Sequence, residues 1–514
     1  MILFACLALM TLVAPLSAAA VQADVPSERA LRLASKVRRA EAQAAEETLA
    51  ALVAFDTYHR EGTPNAEHPS FQAMTRWLKA FADANGLDFA DHGAVVVVGL
   101  GDGPGRLGVV THGDVQPCDP AKWAADPFTV DVTSEPGRLV GRGTEDDKGP
   151  IACALHAMKA IGESGWDVRR RIELIISYTE ESDWTPFGEF LARNPPPELN
   201  VAIDAEYPVV VAEKGWCSVE VSLPIEDEGE VDLKDAALTS FTGGFFLSQV
   251  PEDAVARVDG AHLVVEDALR RASQEDDEVE FTFEREGDAL IVRARGTSAH
   301  SSKPEQGRNG ITHLARLLSQ VDWPPTAASR MVSFINELIG VGWHGELFGE
   351  LAYEDEFMGP LTLSLGKLEE RDGRLVAGIN LRRPVGRSSE QVEAHVREAV
   401  HAWSMTHGVA GVEVTANIGE PHPPVDAPHV PVLLSTFRHY TGIQDAAPIS
   451  IGGGTHARMV PNGVNFGPSM PGEPYTGHSE HEFITRERFL QNLEMYTSLL
   501  VDLAVEPRAL LESK

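Results

Sequence analysis

Histidines and acids in this chain gather at the ends of apolar runs, and those positions are the ones whose types and spacing could do chemistry. The run Val109-Val110-Thr111 leads into His112, with Asp114 two residues on. In an extended chain, positions i and i+2 face the same side. Asp114 can therefore hold one nitrogen of the His112 imidazole and turn the other toward a metal ion, a relay common at zinc sites. A second run, 175–178, closes on Thr179-Glu180-Glu181. Neighbours at a strand end point different ways, so one glutamate can bind metal while the other faces the attacking water. A third run, 201–203, closes on Asp204. The stretch 141–150, GRGTEDDKGP, sets Glu145, Asp146 and Asp147 in a loop ahead of a helical pattern. One of these acids could bridge two metals, although acids are also common at any helix N-terminus. Last comes 477–482, Gly-His-Ser-Glu-His-Glu, after the glycine- and proline-rich 452–474. Each motif alone is equally an ordinary solvated strand end. Together, oxygen and imidazole ligands at several strand ends fit a catalytic metal centre.

The elements that must carry these residues are legible in part. A helix rich in Ala, Glu and Arg is expected over 28–58, and a second over 68–86, ending near Asn85-Gly86. Strand-like runs follow at 94–100, 107–111, 172–178 and 201–203, with helical periodicity over 150–163. Strands alternating with helices indicate an α/β layer architecture. After about Lys214 the texture changes. Residues 217–223 alternate as a strand, acidic loops occupy 226–232 and 275–278, and strand patterns return at 279–283, 290–294 and 360–382, with a helix over 310–321. This block reads as an inserted α+β domain. Helix resumes near Ser388, and a second α/β stretch runs to the C-terminus. The expected division is 24–216 and 384–514 for one α/β domain, with 217–383 inserted.

The chain has 514 residues, more than one hydrophobic core usually serves, so two domains are expected. A formal net charge of −34 argues against nucleic-acid binding and against attraction to an anionic membrane surface. Residues 1–23 carry an apolar run followed by small residues, the pattern of a secretory signal with cleavage after Ala20 or Ala23. The run is too short to span a bilayer. A secreted or periplasmic protein, with no membrane contact after cleavage, is the expectation. Of the 4 cysteines, Cys6 lies in that segment, and Cys118, Cys153 and Cys217 form no C-x-x-C pair, so structural free thiols are expected.

The motifs THGDVQP, GRGTEDDKGP, YTEES, IDAEYPVVVAEKG, GTSAHSSKPEQGRNG, GGGTHAR and GHSEHEFI, in this order, resemble those of the M20 metallopeptidases, most closely the branch that holds dipeptidase V and the carnosinases. The resemblance implies a two-domain dizinc exopeptidase: a catalytic α/β sandwich with a mixed sheet, and an inserted α+β lid. It implies that two Zn²⁺ ions (Mn²⁺ or Co²⁺ in their place) are held by His112 and Asp204 on one side and by Glu181 and His478 on the other. Asp146 would bridge them, followed by a cis peptide to Asp147. Glu180 would be the general base, Asp114 would orient His112, and His300 of the lid would supply a donor to the developing oxyanion. Arg382 and Arg458 match positions near the free carboxylate of a substrate, with Arg383 the neighbouring alternative, and Gly452, Gly453 and Gly454 could add backbone N–H donors. The chain departs from the pattern at three places. His456 stands where relatives often carry Asp or Tyr, Ser248 where related lids often show Asn, and Gly113 where an apolar residue is usual. The implied partner is a dipeptide; because a large lid can cover the site within one chain, a monomer is expected, with a homodimer formed through the lid as the alternative. Deacylation of N-acyl amino acids, carboxypeptidase action, and binding of peptide without catalysis are the alternatives on the same scaffold.

Overall fold

The structure is a computed structural model that describes residues 25–225 and 236–507. The signal expected at 1–23 and the acidic loop at 226–232 lie outside the described residues. The chain divides into two compact units, one of Met1–Val209, Asp426–Pro448 and Met459–Lys514, the other of Val210–Val425 and Ile449–Arg458.

The first unit is built around the strand Val95–His112, a long apolar segment bent at its middle. Its halves register in opposite senses on the strand Arg170–Ser177. Val95 faces Ser177 and Leu100 faces Ile172, whereas Leu107 faces Ile172 and His112 faces Ser177. Glycine makes the bend possible: Gly101 has φ of +87°, and a Cβ on Gly103 would lie 2.1 Å from the carbonyl oxygen of Arg169. The strand Leu199–Ala202 pairs in parallel with the second half, and Gly463–Asn465 pairs in parallel with Leu199–Ala202. Asp88–Asp91 adds an antiparallel edge to the first half. The sheet is therefore mixed, and His112, Ser177 and Ala202 end their strands on one side. That side is where open α/β sheets place their ligands.

Helices cover this sheet. Lys148–Glu163 is buried over most of its surface, through Ile151, Leu155, Met158 and Ile161 among others, and such an all-round apolar helix belongs in an interior. It packs on Ala42–Val53 and Arg486–Leu500, and Glu28–Ala40 packs on Arg486–Leu500. The single helix expected over 28–58 is thus two, Glu28–Ala40 and Ala42–Val53, and the expected 68–86 helix is Pro69–Ala84.

The second unit is an antiparallel sheet of 8 strands. Their order is Glu280–Glu286, Ala289–Arg295, Asp253–Asp259, Ala237–Gly243, Thr362–Arg371, Arg374–Arg383, Gly215–Pro224 and Glu413–Ile418. Period-two burial is plain in Gly215–Pro224. Cys217, Val219, Val221 and Leu223 enter a core shared with Phe241, Leu365, Phe334 and Trp403. This unit is larger than the expected 217–383 insert. The helix Ser389–His407 sends Val392, Val396, Val400 and Trp403 into that same core, and Glu413–Ile418 pairs with Gly215–Pro224. Residues 384–425 therefore fold with the second unit and not with the first. Residues 449–458 join it too, where the Glu213 carboxylate accepts the N–H and hydroxyl of Thr455 at 3.1 and 2.6 Å.

Cys118, Cys153 and Cys217 are free thiols. No helix among the described residues is long and apolar enough to cross a membrane.

Candidate metal centre

All but one of the candidate ligands of the first unit sit next to the end of a strand or helix. His112 closes its strand, and Asp204 lies two residues past Ala202. Glu180 and Glu181 lie just past Ser177. Asp146 precedes the helix that begins at Lys148. His478 stands in a turn, with φ of +65°, a left-handed conformation that side chains other than glycine adopt rarely. The peptide bond between Asp146 and Asp147 is cis.

These side chains converge in two groups that share Asp146: His112, Asp146 and Asp204, and Asp146, Glu181 and His478. Nε2 of His112 lies 2.8 Å from Asp146 Oδ1 and 3.3 Å from Asp204 Oδ1. Nε2 of His478 lies 2.9 Å from Glu181 Oε1 and 3.2 Å from Asp146 Oδ2. His112 and Asp114 are fully buried, and Glu180, Glu181, Asp204 and His478 are half-buried. The helix N-terminus does not account for the acids. Asp147 occupies the cap position yet makes no side-chain capping bond, and its carboxylate accepts the Thr111 hydroxyl instead.

Asp114 does less for His112 than the i, i+2 argument expects. Nδ1–H of His112 donates to the main-chain carbonyl of Asp114 at 2.9 Å, while the Asp114 carboxylate is 3.5 Å away. The strand ends at His112, so the alternation of side chains stops there. The outcome for the imidazole is the same: with its proton on Nδ1, Nε2 is left as the ligand atom. The Asp114 carboxylate turns to the next strand end and accepts the N–H groups of Glu180 and Glu181 at 3.2 and 3.0 Å. Gln116 donates to Glu181 Oε2 at 2.8 Å, and the Tyr475 hydroxyl donates to Asp146 Oδ2. Neither residue stands out in the sequence, although Gln116 lies inside THGDVQP.

The crowding of acids has electrostatic consequences. Burial, with Asp204, Glu181 and Asp114 nearby, pushes Glu180 well above the usual carboxylate range. Burial pushes Asp204 up to about 6, helped by Asp146 and Glu181 and opposed by His112. Burial opposes charge on His478, but Glu181 and Asp146 outweigh it and raise the ring to about 10. Carboxylates that repel one another so strongly, with imidazoles between them, suit divalent cations. Hard oxygen with borderline nitrogen fits zinc, manganese or cobalt.

The remaining candidates belong to the second unit. His300 lies in the short strand Ala299–His300, paired with Gln249–Val250, and the Ser248 carbonyl accepts the N–H of Ser301 at 2.9 Å. The main-chain N–H of Ser302 donates to His300 Nδ1 at 3.2 Å, which leaves the proton of the neutral ring on Nε2. Arg382 is buried, and its guanidinium donates to Asn380 Oδ1 and Gly452 O, both at 3.0 Å, and to Ser301 Oγ at 3.5 Å. Among the described residues it has no carboxylate partner. Burial pushes it down to about 10, which keeps it charged at neutral pH. Gly452 must be glycine for this contact, because a Cβ would lie 2.6 Å from Cβ of Ser302. Arg383 is committed elsewhere, to Gly419 O, Arg387 O and the Glu420 carboxylate. Arg458 donates to the main-chain oxygen of Glu420, and Gly453 and Gly454, earlier in the same segment, are half-buried. His456 is buried in the same segment.

Known proteins resemble this chain in sequence and in fold. The model of peptidase family M20/M25/M40 matches residues 108–502. The chain is 29% identical over 465 residues to a Beta-Ala-Xaa dipeptidase of Lactobacillus delbrueckii subsp. lactis, covering 88% of this chain and 94% of that one. Among solved structures, human carnosine dipeptidase 1 is similar in fold, with a TM-score of 0.58 at 16% identity, covering 93% of this chain and 99% of that chain. The di-peptidase Dug1p of Saccharomyces cerevisiae matches with a TM-score of 0.54 at 11% identity, covering 92% and 98%. The matched segment begins four residues before His112 and runs past His478, so it holds every candidate ligand, and the chain belongs to peptidase family M20/M25/M40 as a metallopeptidase.

Proposed function

We propose that this chain hydrolyses dipeptides that carry a free C-terminal carboxylate, using two divalent cations, zinc by preference. The observation that carries the reading is the pair of ligand groups sharing Asp146. On this reading His112 and Asp204 would hold one cation, Glu181 and His478 would hold the other, and Asp146 would be shared between them. Two such cations, when bound, polarise the scissile carbonyl and acidify the attacking water. Glu180 does the proton work: its carboxylate takes the proton of the attacking water and passes it to the leaving amine. Asp114 holds the backbone of Glu180 and Glu181, and so aims both side chains. His300 offers Nε2–H to the developing oxyanion. Arg382, a buried guanidinium whose acceptors among the described residues are all neutral, receives the substrate carboxylate through its planar fork. Ser248, Gly454 and Arg458 contribute to the surroundings of that carboxylate. The relative named a Beta-Ala-Xaa dipeptidase supports the dipeptide class and adds β-alanyl substrates to those worth testing.

The test is hydrolysis of a panel of α- and β-alanyl dipeptides, N-acetyl amino acids and tripeptides, with Zn²⁺ or Mn²⁺ added and with chelator. Chelator-sensitive cleavage confined to dipeptides is the expected result. Cleavage of the acylated amino acids in their place would move the chain to deacylase action. Metal uptake without cleavage of anything would leave a peptide-binding role.

A further inference from the structure

The segments that carry Asp146 and His478 are distant in sequence, and each reaches across to the other with a buried glutamate. Glu482 follows His478 by four residues and is fully buried. Its Oε1 accepts the N–H groups of Glu145 and Asp146 at 2.9 and 3.1 Å. Its Oε2 accepts the N–H of Gly143 and the guanidinium of Arg142, both at 2.9 Å. Glu145, the residue before Asp146, answers in the opposite direction. Its Oε2 accepts the N–H and hydroxyl of Thr476, both at 2.7 Å, and the N–H of Gly477 at 3.2 Å. Its Oε1 accepts the hydroxyl of Ser469 at 3.0 Å. Each carboxylate thus sits on one ligand-bearing segment and binds the backbone of the other. Gly477 N–H is the last such bond before His478, whose left-handed backbone needs support from its surroundings.

We infer that Glu145 and Glu482 form a reciprocal clasp that sets Asp146 and His478 at cation-binding distance, as positioning residues and not as ligands. This rests on the two-cation reading above. Their oxygens are occupied by backbone and side-chain donors, and neither glutamate enters the ligand groups. Outer partners of this kind orient ligands, and their loss typically costs 10–100-fold in metal affinity.

The two carboxylates differ in what could replace them. Among the described residues both oxygens of Glu482 receive N–H donors alone, so an amide there must turn its own NH₂ on a donor. At Glu145 the amide fits. Its oxygen can face Thr476 and Gly477, and its NH₂ can donate to the Ser469 hydroxyl, which also accepts. The clasp therefore requires Glu145→Gln to behave as the wild type, and Glu145→Ala and Glu482→Gln to fail.

The experiment is titration of the chelator-stripped full chain with Co²⁺, followed by visible absorption and metal content, with thermal unfolding of the stripped proteins alongside. The wild type and Glu145→Gln are expected to take up two equivalents. Glu145→Ala and Glu482→Gln are expected to bind the second equivalent about 10–100-fold more weakly, with the stripped proteins still folding. Thr476→Val, which removes one hydroxyl donor, is the milder variant should either of these not fold, and it shifts the second equivalent in the same direction. Wild-type affinity for both equivalents in Glu145→Ala and Thr476→Val overturns the clasp, as does a Glu145→Gln as weak as Glu145→Ala. A wild type that takes up fewer than two equivalents overturns the two-cation reading itself, and is told apart because the defect then precedes any substitution.

Discussion

His112 and His478 meet through one carboxylate: Asp146 turns Oδ1 to the first at 2.8 Å and Oδ2 to the second at 3.2 Å. The two ligand groups are therefore coupled through a single residue, whereas Asp204 and Glu181 each belong to one. We expect Asp146→Ala to lose both cations together, by more than the 10–100-fold typical of an outer partner. Asp204→Ala and Glu181→Ala should each retain about one equivalent, since the opposite group keeps its imidazole and Asp146. Metal content after dialysis against a fixed free-metal concentration checks this. Equal losses in all three variants would show that the groups do not divide as described.

What the sequence discloses of this centre is the local part. Apolar runs ending in His112, Glu180-Glu181 and Asp204 mark strand ends, because burial and alternation are written into neighbouring residues. The reach of Asp114 is not local. A period-two rule applies while the chain stays in the sheet, and it leaves the sheet at Gly113, so the carboxylate meets the backbone of Glu180 and Glu181 instead. The same limit hid Glu145 and Glu482. Both lie inside recognisable motifs, but their roles depend on contacts across more than 300 positions. It also displaced the domain boundary: the strand Glu413–Ile418 lies inside the stretch assigned by texture to the α/β domain, yet it pairs with Gly215–Pro224. Arg382 and Arg383 could not be separated by type or spacing. The carboxylate of Glu420 separates them, by occupying Arg383.

Glu180 carries the proton transfer in the proposed mechanism, and it lies outside both ligand groups. Glu180→Gln should keep the wild-type metal content and lose turnover by about 10²-fold or more, the usual cost of losing a general base. Metal analysis and steady-state kinetics on one preparation decide it. A variant that retains more than about a tenth of the wild-type rate removes Glu180 from that role.

In the proposed reading Arg382 offers its fork to an anion; among the described residues its acceptors, Asn380, Gly452 and Ser301, are all neutral. A hydrogen bond to a charged group contributes about 1.5–3 kcal/mol, so Arg382→Ala should lower kcat/KM for a dipeptide by roughly 10- to 200-fold. Arg382→Lys should recover little, because an ammonium cannot reproduce the planar pair of donors. A C-terminally amidated dipeptide, with no carboxylate to receive, should be indifferent to either substitution. A loss of equal size on the amidated substrate would mean that Arg382 holds the surrounding loops and not the substrate.

His429 gives the fold a pH dependence of its own. It is fully buried, its Nε2–H donates to the carbonyl of Asn200 at 3.1 Å, and Nδ1 has no hydrogen-bond partner among the described residues. Burial pushes its pKa down from an ordinary 6.5 to about 4. The unfolded chain therefore takes up a proton at this residue before the folded chain does. Stability from this source is intact above about pH 6.5, falls as the pH drops toward 4, and changes no further below that. Glutamine at this position keeps an N–H for Asn200 and does not titrate. Thermal unfolding of the chelator-stripped wild type and His429→Gln, compared at intervals from pH 7.5 to about 4, should show the wild type losing stability faster below about pH 6.5. The difference between the two curves approaches roughly 3 kcal/mol near the acid end. Parallel curves would mean that water reaches Nδ1, and that the proton is accommodated without cost.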